Sequence, residues 1–298
     1  MRIVVTGGPE GQVLKSLLEQ GRAAGHDIAP LGRPELDLAA DASEISAALA
    51  AARPDAVVSV AAYTAVDKAE DEPDLAFAIN ARGAGAIARA ASGLGVPLVH
   101  LSTDYVFNGS KTAPYTEEDA TDPLSVYGAS KLAGEEAVLA EHSGAAIIRT
   151  AWVYSPFSAN FVKTMLHVAT GRDEISVVAD QHGNPTSAID IADAILEILP
   201  RLRTSSDSQL SGIFHMTGQG ETTWAGFAET IFRLSSAHGG PTATVRPIRT
   251  LDYPTKAIRP ANSCLDNSKL ADTYGLRLPA WQHSLARVVA RLVPAQAD

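Results

Sequence analysis

The chain has 298 residues, a net charge of −10 and one cysteine, Cys264. That length holds one large domain or two modest ones, with ample room for a core. The acidic balance argues against a nucleic-acid partner, the lone cysteine excludes an intrachain disulfide and a thiol-rich metal site, and no apolar run approaches a membrane span.

The opening MRIVVTGG shows no charged leader before a long apolar stretch, so no signal peptide is expected and a cytoplasmic protein is. Arg2–Thr6 is predicted as a strand and Gln12–Ala24 as a helix. Ile28–Leu31, Ala56–Ala61, Pro97–Ser102 and Ala145–Thr150 follow as strands, separated by helices at Ser43–Ala52, Asp74–Leu94 and Tyr127–Glu141. Continuous apolar strands alternating with helices predict an α/β fold, a doubly wound parallel sheet covered on both faces. After Trp152 the rhythm loosens. Helices are predicted at Phe161–Ala169, Ile189–Leu199, Trp224–Ser236 and Trp281–Leu292, and short strands at Ile175–Val178, Gly212–Met216 and Thr244–Pro247. The expected division is a Rossmann-type domain over residues 1–150 and a smaller, partly interleaved substrate domain over 151–298, which returns some strands or helices to the first.

The first strand runs into Thr6-Gly7-Gly8-Pro9-Glu10-Gly11-Gln12. A glycine-rich turn between a first strand and a helix lets backbone N–H groups and the helix dipole meet a pyrophosphate. Gly8 and Gly11 have the spacing of part of a dinucleotide fingerprint, but the next expected glycine is Leu14. At the second strand tip stands Arg33, with no acidic residue there to bind a ribose 2′-hydroxyl. An Arg in that place can accept a 2′-phosphate, which favours NADPH over NADH; the alternative is a solvated side chain.

Tyr127 and Lys131 lie four apart in a helical stretch and so share one face. A phenol with a reference pKa of roughly 10 is a reluctant acid at neutral pH, and a nearby ammonium stabilises its phenolate. Upstream, Ser102-Thr103-Asp104 ends an apolar run, where a hydroxyl can share the same substrate oxygen. Two ordinary helix-face residues are the plain alternative for this pair.

An ordered series of segments settles that choice: Gly11-Gln12-Val13, AAYTAVDKAE at 61–70, STDYVF at 102–107, PLSVYGASKLAGE at 123–135, RTAWVY at 149–154, DQHGNPT at 180–186 and RPANSCLD at 259–266. With these, nearly the whole chain resembles the dTDP-4-dehydrorhamnose reductases, extended members of the short-chain dehydrogenase/reductase superfamily. The resemblance implies NADPH-dependent reduction of the 4-keto group of dTDP-6-deoxy-L-lyxo-4-hexulose to dTDP-L-rhamnose. It implies Tyr127 as proton donor, Lys131 as its partner and a holder of the nicotinamide ribose, and Thr103 beside the sugar carbonyl. Gly8, Gly11, Gln12, Val13, Arg33, Asp37, Leu38, Ala61, Ala62, Tyr63 and Ser102 fall on the cofactor side. Asp104, Tyr105, Trp152, Asn184, Arg259 and Asn262 fall on the nucleotide-sugar side. Arg259 is suited to the diphosphate as a planar fork, with a surface ion pair as its alternative, and Trp152 either stacks on the sugar or belongs to the core. Relatives that dimerise through a divalent metal use glutamates where this chain has Ser16, Ile189 and Gln282, so no metal and a monomer or metal-independent dimer are expected. The competing functions are reduction of another nucleotide-linked 4-keto-6-deoxy sugar, and a non-catalytic regulatory role on the same fold.

Overall fold

The computed structural model describes residues 1–293; the last five residues of the expected second domain lie outside the described residues. At its centre is β1 (Arg2–Thr6), in which Ile3, Val4 and Val5 have no exposed surface. A strand buried on both faces carries no polar alternation, which is why its sequence reads as one apolar run. The chain continues through α1 (Gln12–Ala23), β2 (Asp27–Leu31), α2 (Ala42–Ala52) and β3 (Ala56–Ser59). Two short helices, α3 (Val66–Ala69) and α4 (Pro73–Phe77), lead to a π-helical turn at Ala78–Gly83 and to α5 (Ala84–Gly93). Next come β4 (Leu98–Thr103), α6 (Val126–Glu141), β5 (Ala146–Thr150), β6 (Val153–Tyr154), α7 (Phe161–Val168), β7 (Glu174–Val178), β8 (His182–Gly183) and β9 (Thr186–Ser187). The remainder is α8 (Ala188–Thr204), β10 (Gly212–His215), β11 (Thr222–Thr223), α9 (Trp224–Ala237), β12 (Thr244–Ile248), α10 (Ser268–Tyr274) and α11 (Trp281–Leu292).

Six strands form one parallel sheet in the order β10-β5-β4-β3-β1-β2. Ile3, Val5, Val58 and Ile148 face one apolar layer with Leu14 and Leu17 of α1 and the buried side of α8. Val4, Val57, Leu98 and Ile147 face the other layer, with α2, α5 and α6. Pro30 sits in β2, an edge strand, where its missing N–H costs no ladder bond to a further strand. The chain passes from β1 to β2 on one side, and β3 lies on the other. Ligands of open α/β sheets bind beyond the strand ends at such a reversal. A third apolar cluster joins α7, α9, α11, β7 and β12 through Met165, Ile175, Phe227, Ile231 and Leu285. Residues 188–215 return to the first sheet, because α8 packs on α1 and β10 pairs with β5. No helix among the described residues is long and apolar enough to cross a membrane.

Three predicted elements differ. The helix expected at Asp74–Leu94 is interrupted by the π-helical turn, which points Asn80 inward to hold Tyr63: Asn80 Oδ1 accepts from the Tyr63 N–H (2.7 Å) and its Nδ2 donates to the Tyr63 carbonyl (3.1 Å). The helix expected to stop at Leu199 runs on through Pro200 to Thr204, held by Arg201, whose Nη1 donates to the carbonyl of Tyr274 (2.6 Å). The strand expected to reach Ala61 ends at Ser59, because the N–H groups of Val60 and Ala61 turn to the Thr6 hydroxyl.

Beneath α6 lies a buried ion pair. Arg149 of β5 donates to Glu135 through Nε (2.9 Å) and Nη2 (2.6 Å), and each side chain is only 2% exposed. Ser102 donates to the same carboxylate, and the guanidinium lies 5.1 Å from the Phe107 ring centroid. Removing one partner of such a pair leaves an uncompensated buried charge. Glu135→Leu is expected to lower unfolding free energy by about 3–5 kcal/mol in urea denaturation, and Glu135→Leu with Arg149→Met to recover most of it. Equal losses in the single and double variants would show that the pair itself, rather than a stranded charge, carries the stability.

Candidate active site

Thr6 Oγ1 accepts from the N–H groups of Val60 (3.2 Å) and Ala61 (3.3 Å), which fixes the end of β1 to the chain leaving β3. Beyond that junction lies a cleft of about 370 Å³, lined by Gly7, Gly8, Pro9, Gly32, Arg33, Asp37, Leu38, Ala61 and Ala62. Gly32 permits the close approach of its two walls: a Cβ there would stand 2.4 Å from the Gly7 carbonyl oxygen. Gly11 caps α1 with no side-chain hydrogen bond, so no side chain claims the first-turn N–H groups, and those groups suit a pyrophosphate. Leu14, where a further glycine was expected, is fully buried between α1 and the sheet. The departure therefore changes helix–sheet packing and leaves the turn open.

Not every residue expected on the cofactor side has its side chain there. Val13 packs in the core, so only its backbone is available. Gln12 ties α1 to the chain at β6: its Nε2 donates to the Val153 carbonyl (3.3 Å) and its Oε1 accepts from Ser155 Oγ (2.8 Å). Tyr63 donates its hydroxyl to Glu72 (2.7 Å), and the Ser102 hydroxyl belongs to the Glu135 network.

The catalytic candidates meet at the carboxyl end of β4. Ser125 caps α6 by accepting from the Gly128 N–H (3.2 Å), which starts the helix just ahead of Tyr127. Thr103 Oγ1 donates to Asp104 Oδ1 (2.9 Å) and accepts from the Tyr105 N–H (3.2 Å), and its hydroxyl influences the neighbouring Tyr127 phenol. Lys131 is 3% exposed and donates to the Leu101 carbonyl (2.7 Å), with His100 Nε2 at 3.3 Å. Burial pushes the Tyr127 phenol up to about 12, with Thr103 pulling against it and the Asp104 carboxylate adding to it. Burial also brings Lys131 down to about 8, against the opposing pull of Glu135. The sequence led us to expect the ammonium to hold the phenol down; desolvation wins instead, because Lys131 is bonded to Leu101 and His100. Burial raises Asp104 to about 6, against the hydrogen bond from Thr103, while its Oδ2 is buried without a hydrogen-bond partner.

A second cleft, of about 620 Å³, includes Phe161, Arg172, Gln181, Trp224, Tyr253 and Arg259 in its walls. Arg259 neighbours Tyr105, whose ring meets that of Tyr127 edge-on at 5.6 Å. The Arg259 guanidinium also grips Asp67, with Nη2 to Oδ2 at 2.7 Å and Nη1 to Oδ1 at 3.2 Å. Trp152 stacks on Trp224 with centroids 3.6 Å apart, and its ring edge lies against Gly183, where a Cβ would come within 2.4 Å. Asn184 and Asn262 hold loops rather than presenting free amides. Asn184 donates to the Gly220 carbonyl (2.8 Å) and accepts from the Leu265 N–H (2.8 Å). Asn262 donates to the carbonyls of Lys111 (2.7 Å) and Ala113 (3.1 Å) and accepts from the Cys264 N–H (3.0 Å).

Sequence reasoning missed Asn80, His100, Asp67 and Trp224. Asp67 falls inside a recognised segment, and Asn80 and Trp224 carry no local signal beyond an ordinary helix. Ser16 is buried and bonds within α1, Ile189 lies in the first turn of α8 and Gln282 is exposed on α11. Among the described residues no three His, Cys, Asp or Glu side chains cluster as metal ligands.

The sequence model described as the RmlD substrate binding domain matches residues 1–293. A dTDP-4-dehydrorhamnose reductase of Sinorhizobium fredii is 51% identical over 293 residues, 98% of each chain. The Escherichia coli K12 protein of the same name is 43% identical over 242 residues, 80% of each chain. The crystal structure of a Clostridium acetobutylicum dTDP-4-dehydrorhamnose reductase superposes with a TM-score of 0.90 at 37% identity, covering 98% of this chain and 99% of that one. That of the Bacillus anthracis enzyme in complex with NADP gives 0.89 at 36% identity, covering 96% and 98%. The chain belongs to the RmlD family of dTDP-4-dehydrorhamnose reductases.

Proposed function

We propose that this chain reduces the 4-keto group of dTDP-6-deoxy-L-lyxo-4-hexulose, with NADPH as the hydride donor, to give dTDP-L-rhamnose. The observation that carries this function is the convergence of Thr103, Tyr127 and Lys131 at the end of β4, beside the β1–β3 cleft. The similarity to reductases of that name over 98% of the chain supports the same substrate. The B. anthracis structure with NADP supports the cofactor.

A bound reduced nicotinamide supplies the hydride for the sugar carbon. Its pyrophosphate would be held by the Gly8–Gly11 turn and the first turn of α1, and its adenine end by Asp37 and Leu38. The residues of the chain handle the proton and the charge. Tyr127 holds the proton for the C4 oxygen at its phenolic hydroxyl. Thr103 stands by the C4 oxygen, where its one hydroxyl proton, given to Asp104 in this structure, has to turn to the developing alkoxide, and cationic Lys131 offsets the phenolate left behind. Tyr105 and Arg259 line the approach of the sugar diphosphate. In a protein of net charge −10, that anion depends on local guanidinium and N–H groups. A reductase of another nucleotide-linked 4-keto-6-deoxy sugar would use the same group. A purely regulatory protein would have no use for a proton donor with its ammonium partner. Cytoplasmic location, and a monomer or metal-independent dimer, complete the proposal.

NADPH oxidation with two or three nucleotide-linked 4-keto sugars tests it, and fastest turnover on the dTDP-linked L-lyxo compound is expected. Turnover on none of them would overturn the proposed activity. Tyr127→Phe removes the proton donor at nearly constant shape and should lower kcat at least about a hundredfold while NADPH still binds. Near-normal turnover in that variant would remove Tyr127 from the mechanism.

Arg33 lies exposed at the rim of the cofactor cleft, where a 2′-phosphate would emerge. NADPH should be preferred over NADH, and Arg33→Ala should narrow the gap. Equal kcat/KM for the two cofactors in the wild type would exclude that role.

Ser16, Ile189 and Gln282 offer no carboxylate to a hard cation. Light scattering on a sizing column should give the same mass in Mg²⁺ and in EDTA, with unchanged activity. A dimer that dissociates only in EDTA would contradict this.

A further inference from the structure

We propose that His100 is a positioning residue for this reduction: its Nε2 accepts one N–H of Lys131, so that His100 and the Leu101 carbonyl together aim the ammonium. This rests on the role given to Lys131 above.

An ammonium has three donors in a fixed arrangement. In Lys131 one goes to the Leu101 carbonyl at 2.7 Å and one to His100 Nε2 at 3.3 Å. The third is left for the reacting partners. Nε2 can accept only if it carries no proton. Burial, then the charge of Lys131, hold His100 well below the usual imidazole range, so the ring is neutral. Its one proton therefore sits on Nδ1, directed at Ser59 Oγ, 3.1 Å away. Ser59 of β3 and His100 of β4 are each 1% exposed. The order of control runs from the Ser59 hydroxyl to the His100 tautomer to the Lys131 ammonium, across two neighbouring strands and onto α6.

The choice of imidazole follows from what Lys131 has to do. A carboxylate in this place would anchor the ammonium but neutralise the charge that stabilises the phenolate. A neutral acceptor anchors it and leaves the charge in place. The charged groups around Lys131 fit that scheme. Glu135, one turn on along α6, is taken by Arg149 of β5 and by Ser102 of β4. Tyr127 stands one turn before. His100 is the titratable group from β4, β3 offers only the hydroxyl of Ser59, and the π-helical turn offers the neutral Asn80, bonded to Ser130 (2.9 Å).

The sign of the pH effect follows. Lys131 works as a cation, so activity is lost as pH rises through its pKa, near 8 in this site. Without the His100 acceptor the ammonium is less stabilised, and that loss begins at lower pH. Gln keeps an acceptor oxygen close to the Nε2 position; Leu keeps only bulk. The test compares wild type, His100→Leu and His100→Gln for kcat/KM and for the NADPH dissociation constant by protein fluorescence, each from pH 6 to 10. In His100→Leu the alkaline limb of both should move down by about one unit, which is about a tenfold loss at a pH on the falling limb. His100→Gln should restore most of it. Fluorescence does not need the sugar, so it tests His100 even if the sugar assigned above is wrong, whereas absence of turnover in the wild type counts against that assignment alone. A wild-type pH dependence in folded His100→Leu would overturn the proposal. So would equal impairment of the Leu and Gln variants, which marks His100 as packing only.

Discussion

The buried pair of Glu135 and Arg149 is the constraint on which the site depends. Tyr127, Lys131 and Glu135 lie at successive four-residue steps along α6, so they share one face. That face is turned to the sheet, and a phenol, an ammonium and a carboxylate therefore enter the protein interior together. Only the carboxylate finds a full counterion, in the bidentate grip of Arg149. The pair sets the rotation and height of α6 against β4 and β5. Tyr127 and Lys131, the groups to which the proposed function gives chemistry, are left with neutral partners near the strand ends. Their displaced pKa values follow from that placement, since desolvation is the largest cause for each.

The two clefts divide recognition between different physical means. The one between β1 and β3 combines glycines at close approach, near a helix start with no side-chain cap, with walls of small, aliphatic and two charged side chains, Arg33 and Asp37. The other is built from side chains, with Trp224, Phe161 and Tyr253 beside Arg172 and Arg259. Arg259 is already paired with Asp67. On the proposed function, an incoming diphosphate would exchange one anion for another at the guanidinium, so that its affinity there would be the difference between two ion pairs rather than the strength of one.

Much of this was legible in the sequence, for identifiable reasons. Buried parallel strands write themselves as β-branched runs, and amphipathic helices such as α1 and α11 carry the helical period, so their places were fixed by local pattern. The candidate trio of Thr103, Tyr127 and Lys131 could be singled out because Tyr127 and Lys131 are close in sequence and the surrounding segments resemble a family. What escaped depends on contacts far apart in the chain. The π-helical turn exists because Asn80 serves the backbone of Tyr63. α8 passes Pro200 because Arg201 is held by Tyr274. The amides of Asn184 and Asn262 turn to loop carbonyls and N–H groups that no local pattern reveals. The upward displacement of Tyr127 was hidden too, since it reflects how much water the fold removes.

The return of α8 and β10 to the first sheet bears on how the protein is made. One face of that sheet, with Ile3, Val5 and Val58, is covered by α1 and by α8, and β5 has no outer neighbour until β10 arrives. Synthesis delivers β1 to β5 first, then a long excursion through β6, α7, β7, β8 and β9, and only then the missing cover. Through that interval the nascent chain presents an apolar sheet face and an unpaired strand edge, both of which invite association with other chains. The amino-terminal half alone lacks the cover that α8 and β10 give its sheet. A nascent chain that stalls before residue 215 would be a client for chaperones rather than a small, stable cofactor-binding protein.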